Sequence, residues 1–322
     1  NGTPLNQQLN TSQYVYNHSP TATSNNFTLT ATDGNEIKTF EFSVFNLPEV
    51  ELAPLPAGLH DGININPLDP TRATLVLFAP GKEFVHLIGD FNNWTVSDTF
   101  LMKKDAAQNR FWLELNGLTP QYNHLYQYLV EYSINFADPY STLILDGYGN
   151  DAFIDASVYP DMPAYPQGQT EAITVLRTGD DSYAWQITDF APVQRENLVI
   201  YELLVRDFDE RHSFAAVEER LDYLESLGIN AIELMPVNEF DGNESWGYNP
   251  AFHMALDKYY GNADALKSLI DACHARGIAV LLDVVYNHGT GQHPYYRLWN
   301  SCDGCTSGQA TAENPFFNST AT

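Results

Sequence analysis

The chain has 322 residues and a formal net charge of −26, from 15 Lys and Arg against 41 Asp and Glu. Hydrophobic residues make up 44% and charged residues 17%, enough apolar material for packed cores, which excludes general disorder. So acidic a chain is not expected to bind nucleic acid or an anionic membrane surface through its overall field, and it suits a neutral partner such as carbohydrate.

The length implies two or three domains. No apolar run approaches the roughly 20 residues of a membrane span, so no membrane insertion is expected; residues 278–285 are a short run and carry Asp283. Asn1 is not an initiator Met and no signal segment follows it, as expected of a processed chain. Three cysteines do not make a disulfide scaffold.

In chain order, the first two thirds read as β structure. Phe27, Leu29 and Ala31 alternate with Thr residues, Asp33-Gly34 marks a turn, and Phe40, Phe42 and Val44 resume the alternation. Residues 1–48 hold too few strands for a closed sandwich and read as a partial immunoglobulin-like segment. Residues 48–56 are a Pro-spaced linker. Residues 57–160 predict a small β-sandwich with strands at 74–78, 84–88, 111–115 and 125–132, separated by turns such as Pro80-Gly81 and Asn116-Gly117. Residues 161–196 read as an extended connection with one more strand at 173–176.

The texture changes at Asn197, where residues 197–322 begin. Apolar strands are expected at 198–205, 229–235 and 278–282. Between them, Ser213 caps a helix presenting Phe214, Val217, Leu221 and Leu224 and ended by Gly228. Asn262 caps a second helix presenting Leu266, Leu269, Ile270 and Cys273 and stopped by Gly277, with Cys273 assigned to the core. Alternating apolar strands and helices predict a parallel sheet, in either a doubly wound fold or a (β/α)8 barrel.

In both architectures function gathers at the carboxyl ends of the strands. Those ends carry Arg206-Asp207, then Pro236 to Glu239 with the loop Trp246-Gly247-Tyr248-Asn249-Pro250, then Asp283-Val284-Val285-Tyr286-Asn287-His288. Asp283 can accept hydrogen bonds, Asn287 offers a carbonyl oxygen suited to a hard cation, and His288 can donate to a hydroxyl. Taken singly, Asp283 is more often a structural acceptor and Tyr248 a packing residue, while His288 is as readily a satisfied loop histidine as a functional one. Their joint occurrence at three expected strand ends favours a site.

Residues 283–288 resemble the first signature motif of the alpha-amylase family, glycoside hydrolase family 13. Residues 228–236 resemble that family's second barrel strand, and 246–250 resemble the loop whose tyrosine forms a platform under the sugar. Gly89-Asp90-Phe91-Asn92-Asn93-Trp94 is similar to the signature of the glycogen-binding-type module preceding many branching enzymes and isoamylases. The resemblance implies a multidomain protein in which immunoglobulin-like β-sandwich modules precede the first part of a (β/α)8 TIM barrel. It implies an α-glucan substrate, with Tyr248 stacking on the ring, His288 donating to a hydroxyl, and Asp283 and Trp246 supporting the site. Asn287 would help hold a structural calcium, and the location would be secreted, periplasmic or cell-surface.

The family's nucleophile, acid/base and further aspartate follow the fourth, fifth and seventh strands, so none is assigned in this chain and the remainder of the barrel is needed. The expected reaction is retaining hydrolysis of α-1,4-glucans; the alternatives are branching or debranching in the same family, or non-catalytic glucan binding. Trp94 matches a stacking tryptophan of the module, but Gln127 stands for its lysine and Asn135 for its second tryptophan, with Phe136 adjacent. Cys302 and Cys305 are expected as a short-loop disulfide or two free thiols rather than a zinc site.

Overall fold

A computed structural model describes residues 24–319 together with Thr11, Gln13 and Val15. The remainder of the N-terminal segment, and with it part of the expected immunoglobulin-like stretch, lies outside the described residues. Strands β1 (Ser24–Thr32) and β2 (Ile37–Phe45) form an antiparallel hairpin with Phe27 opposite Phe42 and Leu29 opposite Phe40, so the alternating apolar residues share one face. Asp33 shapes the turn: its Oδ1 accepts from the N–H groups of Glu36 at 2.8 Å and Asn35 at 2.9 Å. This hairpin has no third strand among the described residues.

Nine strands follow: β3 (Gly62–Ile65), β4 (Arg72–Phe78), β5 (Val85–Gly89), β6 (Lys103–Asp105), β7 (Arg110–Asn116), β8 (His124–Val130), β9 (Ile134–Phe136), β10 (Ile144–Leu145) and β11 (Ile173–Leu176). One antiparallel sheet runs β3-β4-β7-β6; the other runs β10-β11-β8-β5, with β9 also on β8. Leu75, Leu77, Phe111, Tyr126, Tyr128 and Phe136 fill the core between them, each large side chain contributing ~2–3 kcal/mol of burial. The strand expected over 125–132 ends early because Glu131 and Tyr132 take φ of 51° and 59° in the turn to β9. β11, inside the expected connection, pairs with both β8 and β10 and belongs to the sheet.

The parallel part contains β12 (Ile200–Leu203), α1 (Val205–Phe208), α2 (Phe214–Glu218), α3 (Leu221–Ser226), β13 (Ala231–Leu234), β14 (Asn238–Phe240), β15 (Pro250–Leu256), α4 (Ala263–Ala275), β16 (Ala279–Leu282) and α5 (Pro294–Leu298). The sheet order is β12-β13-β16, with Leu203 beside Leu234 and Leu234 beside Leu282. Ser213 and Asn262 cap α2 and α4, accepting from the N–H of Ala216 at 3.2 Å and of Ala265 at 2.9 Å. The single helix expected after Ser213 is instead two. Arg220, at φ −101° and ψ 6°, donates its N–H back three residues to Val217 and tightens the turn. The apolar stripe survives the break: Phe214, Val217, Leu221 and Leu224 are all buried against Ile232, Leu234 and Cys273.

Two features join the parallel part to the β-rich part. Strands β14 and β15 form a hairpin in the loop after β13, and Ala251, Phe252 and Ala255 pack on Ala137, Ile144 and Ala172. The segment after β16 also folds back: Tyr295, Leu298 and Trp299 enter the core between the two antiparallel sheets, and the Trp299 indole N–H donates to the Pro80 carbonyl at 3.1 Å.

Candidate functional site

The loop carrying Tyr248 is shaped locally. Gly247 has φ +92°, and a Cβ there would lie 2.3 Å from the Pro236 carbonyl oxygen, so only glycine lets the loop press against the end of β13. The Ser245 hydroxyl accepts from the Gly247 N–H at 2.9 Å and bonds the Asn249 side chain, closing the turn. Asn249 in turn donates to the Asp241 carbonyl at 3.0 Å. Trp246 projects from the same loop and is 61% exposed.

This loop meets the end of β16. The Tyr248 hydroxyl donates to Asp283 Oδ2 at 2.5 Å, while the Tyr248 carbonyl lies 2.7 Å from His288 Nε2. A carbonyl can only accept, so that nitrogen carries the proton. Tyr248 is therefore held through its phenol by a carboxylate and through its backbone carbonyl by an imidazole. Its pKa is pushed up to about 12, first by the hydrogen bond to Asp283 and then by partial burial. Asp283 is itself anchored by its N–H to the Leu234 carbonyl at 2.9 Å, a continuation of the β13–β16 pairing. The structure thus brings Tyr248, Asp283 and His288 together at the carboxyl ends of neighbouring parallel strands.

With Nε2 engaged, a ligand hydroxyl reaches His288 through Nδ1 or by displacing the carbonyl of Tyr248. Asn287 is exposed, and the described residues assemble no group of three or more carboxylate, His or Cys ligands beside it. One amide oxygen falls well short of the six to eight oxygens calcium takes, so the described residues do not by themselves fit that ion. At the end of β12, Arg206 pairs bidentately with Asp207, at 2.7 and 2.9 Å.

In the β-rich part Trp94 follows β5, partly buried against the cluster of Leu145, Ile173 and Val175. Gln127 is fully buried, its amide donating to the carbonyls of Thr170 and Ala172 at 2.8 Å each. Asn135 Nδ2 lies 3.5 Å from Gln127 Oε1. Gln127 presents no side-chain surface to a sugar, whereas Asn135 is half-buried. Cys302 and Cys305 form a disulfide, which decides between the two states the sequence leaves open.

Two clusters escape sequence reasoning. Lys258 is buried and ion-paired with Glu239 and, at 3.2 Å, with Asp151, joining the β14–β15 region to the β-rich part. Burial acts to lower the Lys258 pKa, but the surrounding carboxylates outweigh it and the net shift is upward. Burial raises Glu239 to about 7 despite the lysine. The second cluster is His253 with His293, their Nδ1 and Nε2 atoms 3.1 Å apart. The local signal for the first is the charged pair Asp257-Lys258 inside an otherwise apolar run, Met254 to Tyr260; nothing local marks the second.

Residues 207–318 match the profile of the family described as alpha amylase, catalytic domain. That region is thus similar to the catalytic domain of the alpha-amylase family. The malto-oligosyltrehalose trehalohydrolase of Saccharolobus solfataricus is 41% identical over 106 residues, 33% of this chain and 19% of that protein. The Mycobacterium tuberculosis (strain CDC 1551 / Oshkosh) protein of the same name is 48% identical over 93 residues, 29% of this chain and 16% of its own. The 1,4-alpha-glucan branching enzyme GlgB of Pseudoalteromonas atlantica is 26% identical over 293 residues, 80% of this chain and 37% of that enzyme. The chain thus spans well under half the length of these curated relatives.

Among solved structures, the Group B Streptococcus pullulanase SAP in complex with maltotetraose superposes with a TM-score of 0.52 at 25% identity, over 74% of this chain and 36% of that one. The catalytic module of the glycogen-degrading pneumococcal virulence factor SpuA superposes at 0.54 over 74% and 40%; at 24% identity it speaks to fold alone. These superpositions extend beyond the alpha-amylase region and take in the β-rich part that precedes it.

Proposed function

We propose that the protein carrying this chain is a glycoside hydrolase acting on α-1,4-glucans such as starch, glycogen and maltooligosaccharides, with retention of configuration. The reading is carried by the Tyr248–Asp283–His288 constellation, which lies at parallel-strand ends within the alpha-amylase region. In it, the Tyr248 ring offers an aromatic face to a pyranose, Asp283 holds the phenol in place, and His288 binds a hydroxyl. Trp246 adds an exposed indole beside the platform. A retaining mechanism needs two carboxyl groups about 5–5.5 Å apart, and no residue of this chain is assigned to either role. The remainder of the barrel would supply them.

A branching or debranching specificity is the second reading, favoured because the match to the branching enzyme runs over 293 residues and so includes the β-rich part. Residues 57–160 would be an immunoglobulin-like, glycogen-binding-type module. It binds glucan weakly and mainly orients the barrel, in keeping with a partly buried Trp94 and a buried Gln127. A structural calcium at Asn287 belongs to the same reading, its other ligands coming from beyond the described residues. The disulfide supports a secreted, periplasmic or cell-surface location.

The complete protein should be incubated with soluble starch, amylose and pullulan, and the anomer released first followed by NMR. Initial release of the α-anomer from starch supports hydrolysis. Cleavage of α-1,6 bonds in pullulan, or transfer without net hydrolysis of amylose, selects the second reading. Retention on a glucan gel without turnover would leave a non-catalytic binder and overturn both.

A further inference from the structure

The histidines at 253 and 293 lie behind the site and touch none of its sugar-facing groups directly. Their proton positions follow from their partners. Tyr295 donates its N–H to His293 Nδ1 at 3.2 Å, so that nitrogen carries no proton. Burial, and secondarily His253, lowers the His293 pKa to about 3, so the ring is neutral and its proton sits on Nε2. That Nε2 faces His253 Nδ1 at 3.1 Å, which must accept. His253 Nε2 lies 3.2 Å from the His288 carbonyl and must donate. The His288 side chain then donates to the Tyr248 carbonyl at 2.7 Å.

The chain has one direction, from the start of α5 through β15 to the loop after β16. A second stitch runs beside it: the Thr290 N–H donates to the Pro250 carbonyl at 2.9 Å. Pro250 opens β15 only two residues after Tyr248. The other titratable group facing His253 is Tyr286, with ring centroids 6.1 Å apart.

We propose that His293 and His253 are positioning residues whose directed hydrogen bonds hold the His288 backbone, and through it Tyr248, in register as one wall of the sugar site. This rests on the reading of that site as a glucan site. Reversing any link demands a different tautomer. Moving the proton on His293 to Nδ1 would lose the Tyr295 N–H, and a doubly protonated His253 would point a donor at a donor. An amide at position 253 could keep the pattern, since its oxygen can accept from His293 and its nitrogen can donate to the His288 carbonyl.

Two arms test this in the complete protein at neutral pH. The first needs no sugar. Long-range 15N–1H imidazole spectra should show His293 and His253 protonated at Nε2 and not at Nδ1, and His288 carrying a proton on Nε2. A cationic His253, or a proton on its Nδ1, would overturn the chain. The second arm compares His253→Phe with His253→Gln on maltoheptaose. The Phe variant should raise KM about tenfold with little change in melting temperature and should shift the His288 ring signals, while the Gln variant should restore most of both. Unchanged KM and unchanged His288 signals in the Phe variant would overturn the proposal, as would a Gln variant no better than Phe. If the Phe variant does not fold, the Gln variant and the spectra still decide. If the parent protein ignores α-glucans altogether, the functional reading falls, and the proposed positioning of a sugar site falls with it. The spectra would then report only whether the hydrogen-bond chain exists.

Discussion

Tyr248 is oriented by two hydrogen bonds of different character, and each can be read separately. Replacing Asp283 by Asn removes the charge that favours the protonated phenol. The Tyr248 pKa should then fall from about 12 toward the ordinary value near 10, followed by NMR of ring-labelled tyrosine. An unmoved titration would mean that Asp283 does not hold the ring. His293 has its own pH signature. Its folded pKa is depressed from 6.5 to about 3, so the unfolded chain binds the proton first as pH falls. The stability it confers is complete above about 6.5 and is lost progressively toward pH 3. His293→Gln should remove that part of the acid-side slope in melting temperature against pH, and equal slopes in the two proteins would refute it.

At the scale of elements, the segment after β16 behaves as a clasp. Trp299 is 5% exposed, in the core between the two antiparallel sheets, and Trp299→Ala should destabilise the protein by about 3–5 kcal/mol in denaturant titration. A loss below about 1 kcal/mol would show the segment to be only laid on the surface. The elements legible in the sequence were those with uninterrupted periodicity. β4, β7, β13, β16 and α4 carry continuous apolar runs or stripes and helix caps that announce themselves locally. The β14–β15 hairpin was not legible, because Pro250 opens one strand and the pairing slips in register at Asn238, Glu239 and Phe240. The break between α2 and α3 was equally hidden, since the apolar spacing continues across it. Of the site, Asp283 and His288 follow a readable strand, β16, whereas Tyr248 lies within the β14–β15 hairpin and was marked instead by the resemblance of residues 246–250. His253, His293 and Lys258 were not legible, because the partners that define them are distant in sequence: His253 and His293 are 40 residues apart, Lys258 is 19 residues from Glu239, and Asp151 is farther still.

For the whole molecule, the contact between the β-rich and parallel parts includes, beside its apolar packing, Lys258 with Asp151 on one side and Glu239 on the other. Lys258→Met would leave those carboxylates buried and uncompensated. It should cost about 3–5 kcal/mol and open the hairpin region to limited proteolysis. A variant with native stability and an unchanged cleavage pattern would show that apolar packing alone joins the two parts. The net charge of −26 gives this joint a context: a surplus of carboxylates surrounds it, and one ammonium is shared among several.

That sharing has an accounting in protons. Glu239 and Asp257 both have raised pKa values, chiefly through burial, and Asp151 is raised as well. A carboxyl raised to about 7 in the folded state is ionised in the unfolded chain above about 4.5, so closing the joint draws a proton from the surroundings between those values. The contribution of Glu239 to closure is complete below about 4.5 and is lost as pH rises through about 7, opposite in sign to that of His293. The seam between the two parts is therefore a proton acceptor, and the heat of refolding near neutrality should vary with the ionisation enthalpy of the buffer.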